Sequence, residues 1–395
     1  MAQDKIAKAL SRRMQDRAEA ELPIIVKYAR PLTPTRVPHS IAAASPSQTF
    51  QVFPGAALQA TPPTIEALSQ DPHVAKIWAD ERVRCCLDVS VPLTGVPRVW
   101  ASGFTGRGVH IAVVDTGIDP YHPDFGGRIE EMADFTDEGV HDQDGHGTHV
   151  AGVAAGSGRA SEGRYRGVAP EASLHVAKAL DRLGEGFMSQ VIAGLEWSLG
   201  EEVDVVNLSL GGDPPCDGND PLSEACDILA ERGVVVCVAA GNAGPGPASI
   251  GPPGCARQVL TVGASTDEDQ IAEFSSRGPT QDGRFKPDLV FPGVAIVSCR
   301  ADGTTLGQPV DRRYTQLSGT SMSAPHAAGV AALILEARPD LTPSDVRRVM
   351  TETTRDLGGV VYAQGAGRGD AFAALERQPA TIAERRGCLP RLIFP

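Results

Sequence analysis

From residue 109 onward the chain carries apolar runs without polar alternation: VHIAVV (109–114), SLHVAKAL (173–180), VDVVNLSL (203–210), GVVVCVAA (233–240), QVLTVGA (258–264) and DLVFPG (288–293). Between them lie stretches with helical character, such as FMSQVIAGLEWSL (187–199) and DPLSEACDILAER (220–232). Strands apolar on both faces, separated by helices, predict an α/β fold with a mostly parallel sheet covered on both sides. AAGVAALILEA (327–337) is long and apolar enough to predict a buried helix. The first 87 residues read differently. A charged helix is expected over the first 21, then a strand in ELPIIVKY (21–28) and an irregular Pro/Ser-rich loop. A strand in FQVFPG (50–55), a helix in PTIEALSQDPHV (63–74) and a strand in VAKIWADERVRCC (74–86) complete a small α+β unit. SVPLTGVPRVWASGFTGRG (90–108) is a Gly/Pro-punctuated connector, and residues 379–395 form a short tail. The expected organisation is therefore a unit over 1–87, a large body over 88–378 and the tail.

Charge sharpens that division. Residues 1–87 hold 11 Lys+Arg against 8 Asp+Glu, a net of +3, whereas the whole chain carries −13 and the remainder −16. A basic segment precedes an acidic body, and the two should attract. The acidic balance argues against nucleic acid or an anionic membrane surface as partner, and no apolar run approaches the roughly 20 residues that span a bilayer. The N-terminal MAQDKIAKALSRRMQDRAEAE lacks the apolar centre of a signal peptide. Cytoplasmic residence is expected if Met1 is the native start, secretion otherwise. The eight cysteines follow no zinc spacing. Cys216 and Cys226 flank the loop-like DGNDPLSEA and are expected to pair in an oxidising compartment. Cys237, inside VVVCVAA, is expected to be a buried thiol.

Ligands of parallel sheets bind beyond the carboxyl ends of the strands. There Asp115 closes the first apolar strand of the body, as a turn cap or as a buried carboxylate in need of partners. HDQDGHGTHVAG (141–152) places His146 and His149 three apart; a metal site, a satisfied core histidine and a general base are all open for them. VVNLSLGG (205–212) leaves backbone groups able to pair with an extended peptide. CVAAGNAGPG (237–246) presents Asn242, a turn former or an oxyanion donor. SGTSMSAPH (318–326) precedes the buried helix, so a serine there caps the helix or sits where helical N–H groups favour an anion.

Together VVDTGID, DGHGTHVAG, NLSLGG, AAGNAGPG and SGTSMSAPHAAG resemble, in order, the signatures of the subtilisin-like serine proteases, over residues 96–375. The resemblance implies a three-layer α/β fold and peptide-bond hydrolysis through an acyl-enzyme intermediate. It implies Asp115 as orienting acid, His146 as general base, Ser321 as nucleophile and Asn242 as oxyanion-hole side chain beside the Ser321 N–H. Ser318 and Ser323 are then structural, Pro325 stands near the helix start, and His149 and His326 pack. Ser209, Leu210 and Gly211, with Ala239, Ala240 and Gly241, are implied to bind substrate, and Gly251 to floor a specificity pocket that suits large apolar side chains. No fixed counter-charge stands in those segments.

The first 87 residues resemble the family's inhibitory, chaperone-like prodomain, most clearly in TIEALSQDPHVAKIWADERV (64–83). This implies an autoprocessed zymogen cut near residues 84–92, with Leu87 favoured, and a monomer that binds protein or peptide substrates and its own prodomain. No cofactor is required. Some members hold structural calcium in an Asn-rich loop; here that stretch is GSGRASEGRYRG (156–167). No metal is assigned, although Asp124 matches a ligand and Arg164 and Arg166 are expected to replace the cation. A lipase-type hydrolase would need GxSxG where residues 319–323 read GTSMS, and a dinucleotide fold would need its glycines after the first strand. A catalytically dead scaffold used for binding would lack a triad or oxyanion residue, and none is missing.

Overall fold

The computed structural model of the chain describes residues 5–7, 10, 11, 13, 14, 21–29, 46–50, 54–80, 82–85 and 91–377. Most of the expected N-terminal helix, the tail 379–395, Cys86 and Leu87 lie outside them. In the N-terminal unit, strands β1 (Leu22–Tyr28), β2 (Gln48–Phe50), β3 (Gly55–Ala60) and β4 (Val74–Ala79) form an antiparallel sheet in the order β2-β3-β1-β4. Of the expected strand FQVFPG, Phe50 ends β2 and Gly55 opens β3, and residues 51–53 lie outside the described residues. Helix α1 (Pro62–Gln70) starts with a proline, which supplies a helical φ and needs no N–H there. Its Ile65 and Leu68 pack with Ile24, Val26, Leu58 and Ile77.

The body is built on seven parallel strands: β6 (His110–Asp115), β7 (Ile129–Asp134), β8 (Ser173–Lys178), β10 (Val205–Leu208), β12 (Val235–Ala239), β13 (Leu260–Ser265) and β14 (Leu289–Pro292), in the order β14-β13-β12-β10-β6-β8-β7. β6 shows why both faces are covered. Ile111 and Val113 join α3 (His146–Ala155) and α6 (Thr320–Ala337) on one side, in a core with Val150, Val153 and Ala327. Ala112 and Val114 join α4 (Met188–Gly200) and α5 (Pro221–Glu231) on the other, with Val191, Leu195 and Leu229. This is the expected three-layer α/β arrangement. β7 was not legible in the sequence: IEEMAD is a partly exposed edge strand with little apolar signal. The connector contains a short helix, α2 (Val96–Ala101).

Two apolar runs are broken. VDVVNLSL divides at Ser209 into β10 and a two-residue strand β11 (Leu210–Gly211). VAKIWADERVRCC divides after β4, and its second half, β5 (Arg82–Cys85), leaves the small sheet altogether. It pairs antiparallel with β11 on one edge and with β9 (Glu185–Phe187) on the other. The small unit docks through the outer face of its sheet: Ile25, Phe50, Ala57 and Trp78 share a core with Met188, Val191 and Leu222 of α4 and α5. Lys27 pairs with Glu224 of α5, and Asp80 accepts from Ser189 N (3.2 Å) and Oγ (2.6 Å) at the start of α4. Among the described residues no helix is long and apolar enough to cross a membrane.

The expected Cys216–Cys226 pairing is not found. Cys226 lies on the buried face of α5 as a free thiol, and Cys216 is bonded to Cys255, whose Cα is 6.0 Å away. That bond joins the loop after β11 to the turn that follows Gly251, so it braces two walls of one cleft. Cys237 is the expected buried thiol. A Cys255→Ser change should lower stability by roughly 2–4 kcal/mol, the usual effect of opening such a loop. Denaturant melts of the two proteins under non-reducing conditions check this.

Candidate functional site

Three adjacent strands, β12, β10 and β6, bring their carboxyl ends together. Asp115 ends β6 and is fully buried, so its carboxylate requires donors. Oδ1 accepts from His146 Nδ1 at 2.7 Å and from Thr116 N at 2.7 Å. Because an ionised carboxylate only accepts, His146 carries its proton on Nδ1 and presents Nε2 as a base. The helix that bears His146 comes close to the strand end only because Gly147 lacks a side chain. A Cβ there would stand 2.2 Å from Gly117 O and 3.2 Å from Asp115 Oδ1.

Ser321 is the second residue of α6, among the N–H groups that have no helical acceptor. Its Oγ donates to Ser209 O at 2.9 Å, and Ser209 Oγ donates back to Ser321 O. The second bond has a cause. Pro325, expected near the helix start, is the sixth residue of α6, and the N–H it lacks would have gone to Ser321 O. Ser209 supplies that donor. Asn242, beyond the end of β12, has its Oδ1 held by Thr320 N and Oγ1, both at 3.0 Å. With the oxygen turned to Thr320, the amide nitrogen is the end left for the cleft.

Ser321, Asn242 and Thr320 line one cavity of about 780 Å³ with Leu210, Gly211, Ala239, Ala240, Gly241 and Gly251. Gly251 is buried against Gly212, where a Cβ would meet the carbonyl oxygen at 1.9 Å. The sequence reading missed the charges that line the same cleft: the exposed Asp213 of the body, and Arg13 and Asp80 of the N-terminal unit, which also contributes Leu22. Ser321 is 1% exposed.

The remaining histidines and serines of the motifs hold structure. His149 Nε2 lies against Ile296 O (3.1 Å) and Thr315 O (3.3 Å), and burial pushes its pKa down to about 3, so it stays neutral. His326 Nδ1 bonds Met322 O and its ring stacks on Phe291. Ser323 Oγ donates to Phe291 O, and Ser318 Oγ accepts from Ala295 N.

Asp124 is fully buried; its Oδ1 accepts from Ala160 N (2.9 Å), and its Oδ2 from Tyr314 Oη (2.9 Å) and the Cys299 thiol (3.6 Å). Among the described residues His122, Asp124 and Cys299 form the one cluster close enough to hold a metal. His122 spends Nδ1 on Asp124 N and Nε2 on Arg313 O. A set in which the carboxylate is satisfied by N–H, O–H and S–H donors does not fit a hard cation that wants six or more oxygens. The arginine beside Asp124 is Arg128, bonded to its carbonyl; the expected Arg164 and Arg166 lie instead over the rings of Tyr165 and Trp100.

Residues 106–367 match the subtilase family (Peptidase_S8). The chain is 40% identical over 338 residues to serine protease AprX of Bacillus subtilis, covering 78% of this chain and 76% of the relative. It is 35% identical over 321 residues to subtilisin E of the same organism (79% and 78% covered). To M-protease of Shouchella clausii it is 35% identical over 333 residues (81% and 80%).

Gly147→Ala should lower turnover by roughly 10²-fold, since it must part the α3 start from the 115–117 turn by more than an ångström. KM should change little, because the substrate-lining residues are elsewhere. Steady-state kinetics of the variant with a chromogenic peptide check the split.

Proposed function

The chain belongs to the subtilase family and is a serine protease that hydrolyses proteins, and from that premise we propose that Asp115, His146 and Ser321 carry the reaction. The observation that supports this reading best is the buried Asp115–His146 hydrogen bond of 2.7 Å, which fixes the tautomer a general base needs. Ser321 Oγ attacks the substrate carbonyl and gives its proton to His146 Nε2. The resulting oxyanion takes hydrogen bonds from Asn242 Nδ2 and the Ser321 N–H. His146, as imidazolium held by Asp115, returns the proton to the departing amine, leaving an acyl-Ser321. Water then repeats the sequence and releases the acid.

Residues 1–87 act, in this reading, as an inhibitory prodomain that the enzyme cuts from itself. Support comes from β5, which lies between the two cleft edges as an extended peptide would, with Arg84 opposite Gly211 and Cys85 opposite Leu210. The ladder runs toward Ser209, which holds Ser321, so the cut falls just beyond Cys85. Leu87 remains the proposed residue before it and lies outside the described residues. Large apolar residues are proposed for the pocket walled by Ala239, Ala240, Gly241 and Gly251. The exposed, solvated Asp213 is too weak a counter-charge to reverse that preference.

Ser321→Ala and His146→Ala should each lose roughly 10⁶-fold in kcat, the magnitude known for subtilisin. Casein digestion at the parent rate by Ser321→Ala would sink the assignment. The same variant should remain full length, as intact mass will tell. Purified residues 1–87 should inhibit the mature enzyme, and less so as salt rises, because +3 meets −16. In a peptide series Phe, Tyr, Leu or Met should be preferred before the cut; best cleavage after Arg or Lys would refute the pocket reading.

A further inference from the structure

Asp142 stands four residues before His146, buried, and gathers five hydrogen bonds from three segments. Oδ1 accepts from Thr116 Oγ1 (2.9 Å), Asp144 N (3.2 Å) and Gly145 N (2.7 Å). Oδ2 accepts from Thr148 N (2.8 Å) and Oγ1 (2.6 Å). Gly145, the residue preceding α3, offers no side-chain cap, so the third N–H of the helix is capped by Asp142 instead. The Thr116 hydroxyl accepts from Gly147 N at 2.8 Å, which sends its own proton to Asp142. Thr116 is also the residue whose N–H reaches Asp115 Oδ1. Burial pushes the Asp142 pKa up, and the hydrogen bonds from Thr148, Gly145 and Thr116 oppose it; with three backbone N–H groups and two hydroxyls donating to its oxygens, the network favours the ionised carboxylate.

We propose that Asp142 is a positioning residue for the Asp115–His146 pair, its negative charge locking the turn after β6 to the start of α3 and favouring the imidazolium form of His146. The inference rests on the roles proposed above for Asp115, His146 and Ser321. Lys178, fully buried, secures the other side of the same turn by donating to Thr116 O at 2.9 Å. The titratable groups around Asp142 are Asp115 and His146 across Thr116, Asp144 on its own loop, Asp119 behind Thr148, and His141 and Asp302 at the adjoining hollow. Asp144 matters most among them, since burial and the neighbouring Asp142 and Asp115 push its pKa up to about 6, against the opposing pull of His146.

The test is the pH profile of kcat/KM for Asp142→Asn, measured alone and in an Asp144→Asn background, with a chromogenic peptide and with thermal midpoints alongside. The amide presents a donor to a donor and removes a charge. Turnover should fall roughly 10²-fold with KM nearly constant. Loss of a nearby anion makes imidazolium harder to form, so the acid limb should move to lower pH by roughly 0.5–1 unit, in both backgrounds. A lowered midpoint with turnover and limb unchanged would reduce Asp142 to a structural cap. A limb shift that vanishes in the Asp144→Asn background would assign the effect to Asp144. Should Asp142→Asn fail to fold, Thr116→Val decides: turnover roughly tenfold lower and restored by Thr116→Ser supports the link, and parent turnover overturns it. If Ser321→Ala is inactive while Asp142→Asn behaves as parent, this inference alone fails; if Ser321→Ala is fully active, the reading beneath it fails.

Discussion

A carboxylate buried at the end of an apolar strand governs this architecture. Asp115 sits where β6 leaves the sheet, shielded from water, and in such surroundings a charge is tolerated only among donors. It recruits Thr116 N and His146 Nδ1 to one oxygen. Recruiting His146 drags the start of α3 onto the 115–117 turn, and that approach requires Gly147. The same turn is pinned by Asp142 on one side and Lys178 on the other. What resembles a loose loop between strand and helix is thus a polar network that ties Asp115 Oδ1, Thr116, Asp142 and the start of α3 together. Such networks are rigid when complete and costly when broken.

The second half of the site follows from a similar defect and its repair. Pro325 removes a helical donor from α6, and the carbonyl so exposed belongs to Ser321. Ser209, at the break between β10 and β11, repairs it with its hydroxyl, and its carbonyl accepts a hydrogen bond from the Ser321 hydroxyl in return. The strand break is therefore a functional feature of the run VDVVNLSL. It turns the chain outward so that Leu210 and Gly211 present an open edge while Ser209 stays with α6. A free edge of this kind pairs with extended peptide, and β5 occupies it here. The interface is completed by apolar packing of one sheet face on α4 and α5, with Asp80 capping the α4 start. The acidic body and basic N-terminal unit add attraction over longer range.

The buried carboxylate of Asp124 is met by donors of the chain itself. Asp124 keeps its place, but Tyr314, Cys299 and Ala160 satisfy it. The sequence hinted at the change through GSGRASEGRYRG and misnamed the compensating groups. Arg164 and Arg166 are near in sequence to the altered loop, yet they stack on aromatic rings. Ala160 N lies within that stretch, but the two side-chain donors come from positions 175 and 190 residues away from Asp124, which no local pattern could reveal.

By itself the sequence determined the parallel sheet, since unbroken apolar runs such as VVVCVAA can only be buried on both faces, a signal written locally in the chain. Asp115, His146, Asn242 and Ser321 were singled out by the resemblance of their motifs to those of the subtilisin-like proteases. Other features were settled only in three dimensions. IEEMAD became a strand because β8 offers an edge, not because its residues demand one. Cys216 found Cys255 rather than Cys226 because helix α5 carries Cys226 into the core. Four of the five hydrogen bonds to Asp142 come from residues 144, 145 and 148 of its own stretch, and the fifth, from Thr116, exists only because the turn after β6 meets the start of α3. The physical reason is common to all: local propensity is a property of neighbours in sequence, whereas satisfying a buried polar group depends on whichever donors the packing of distant elements delivers.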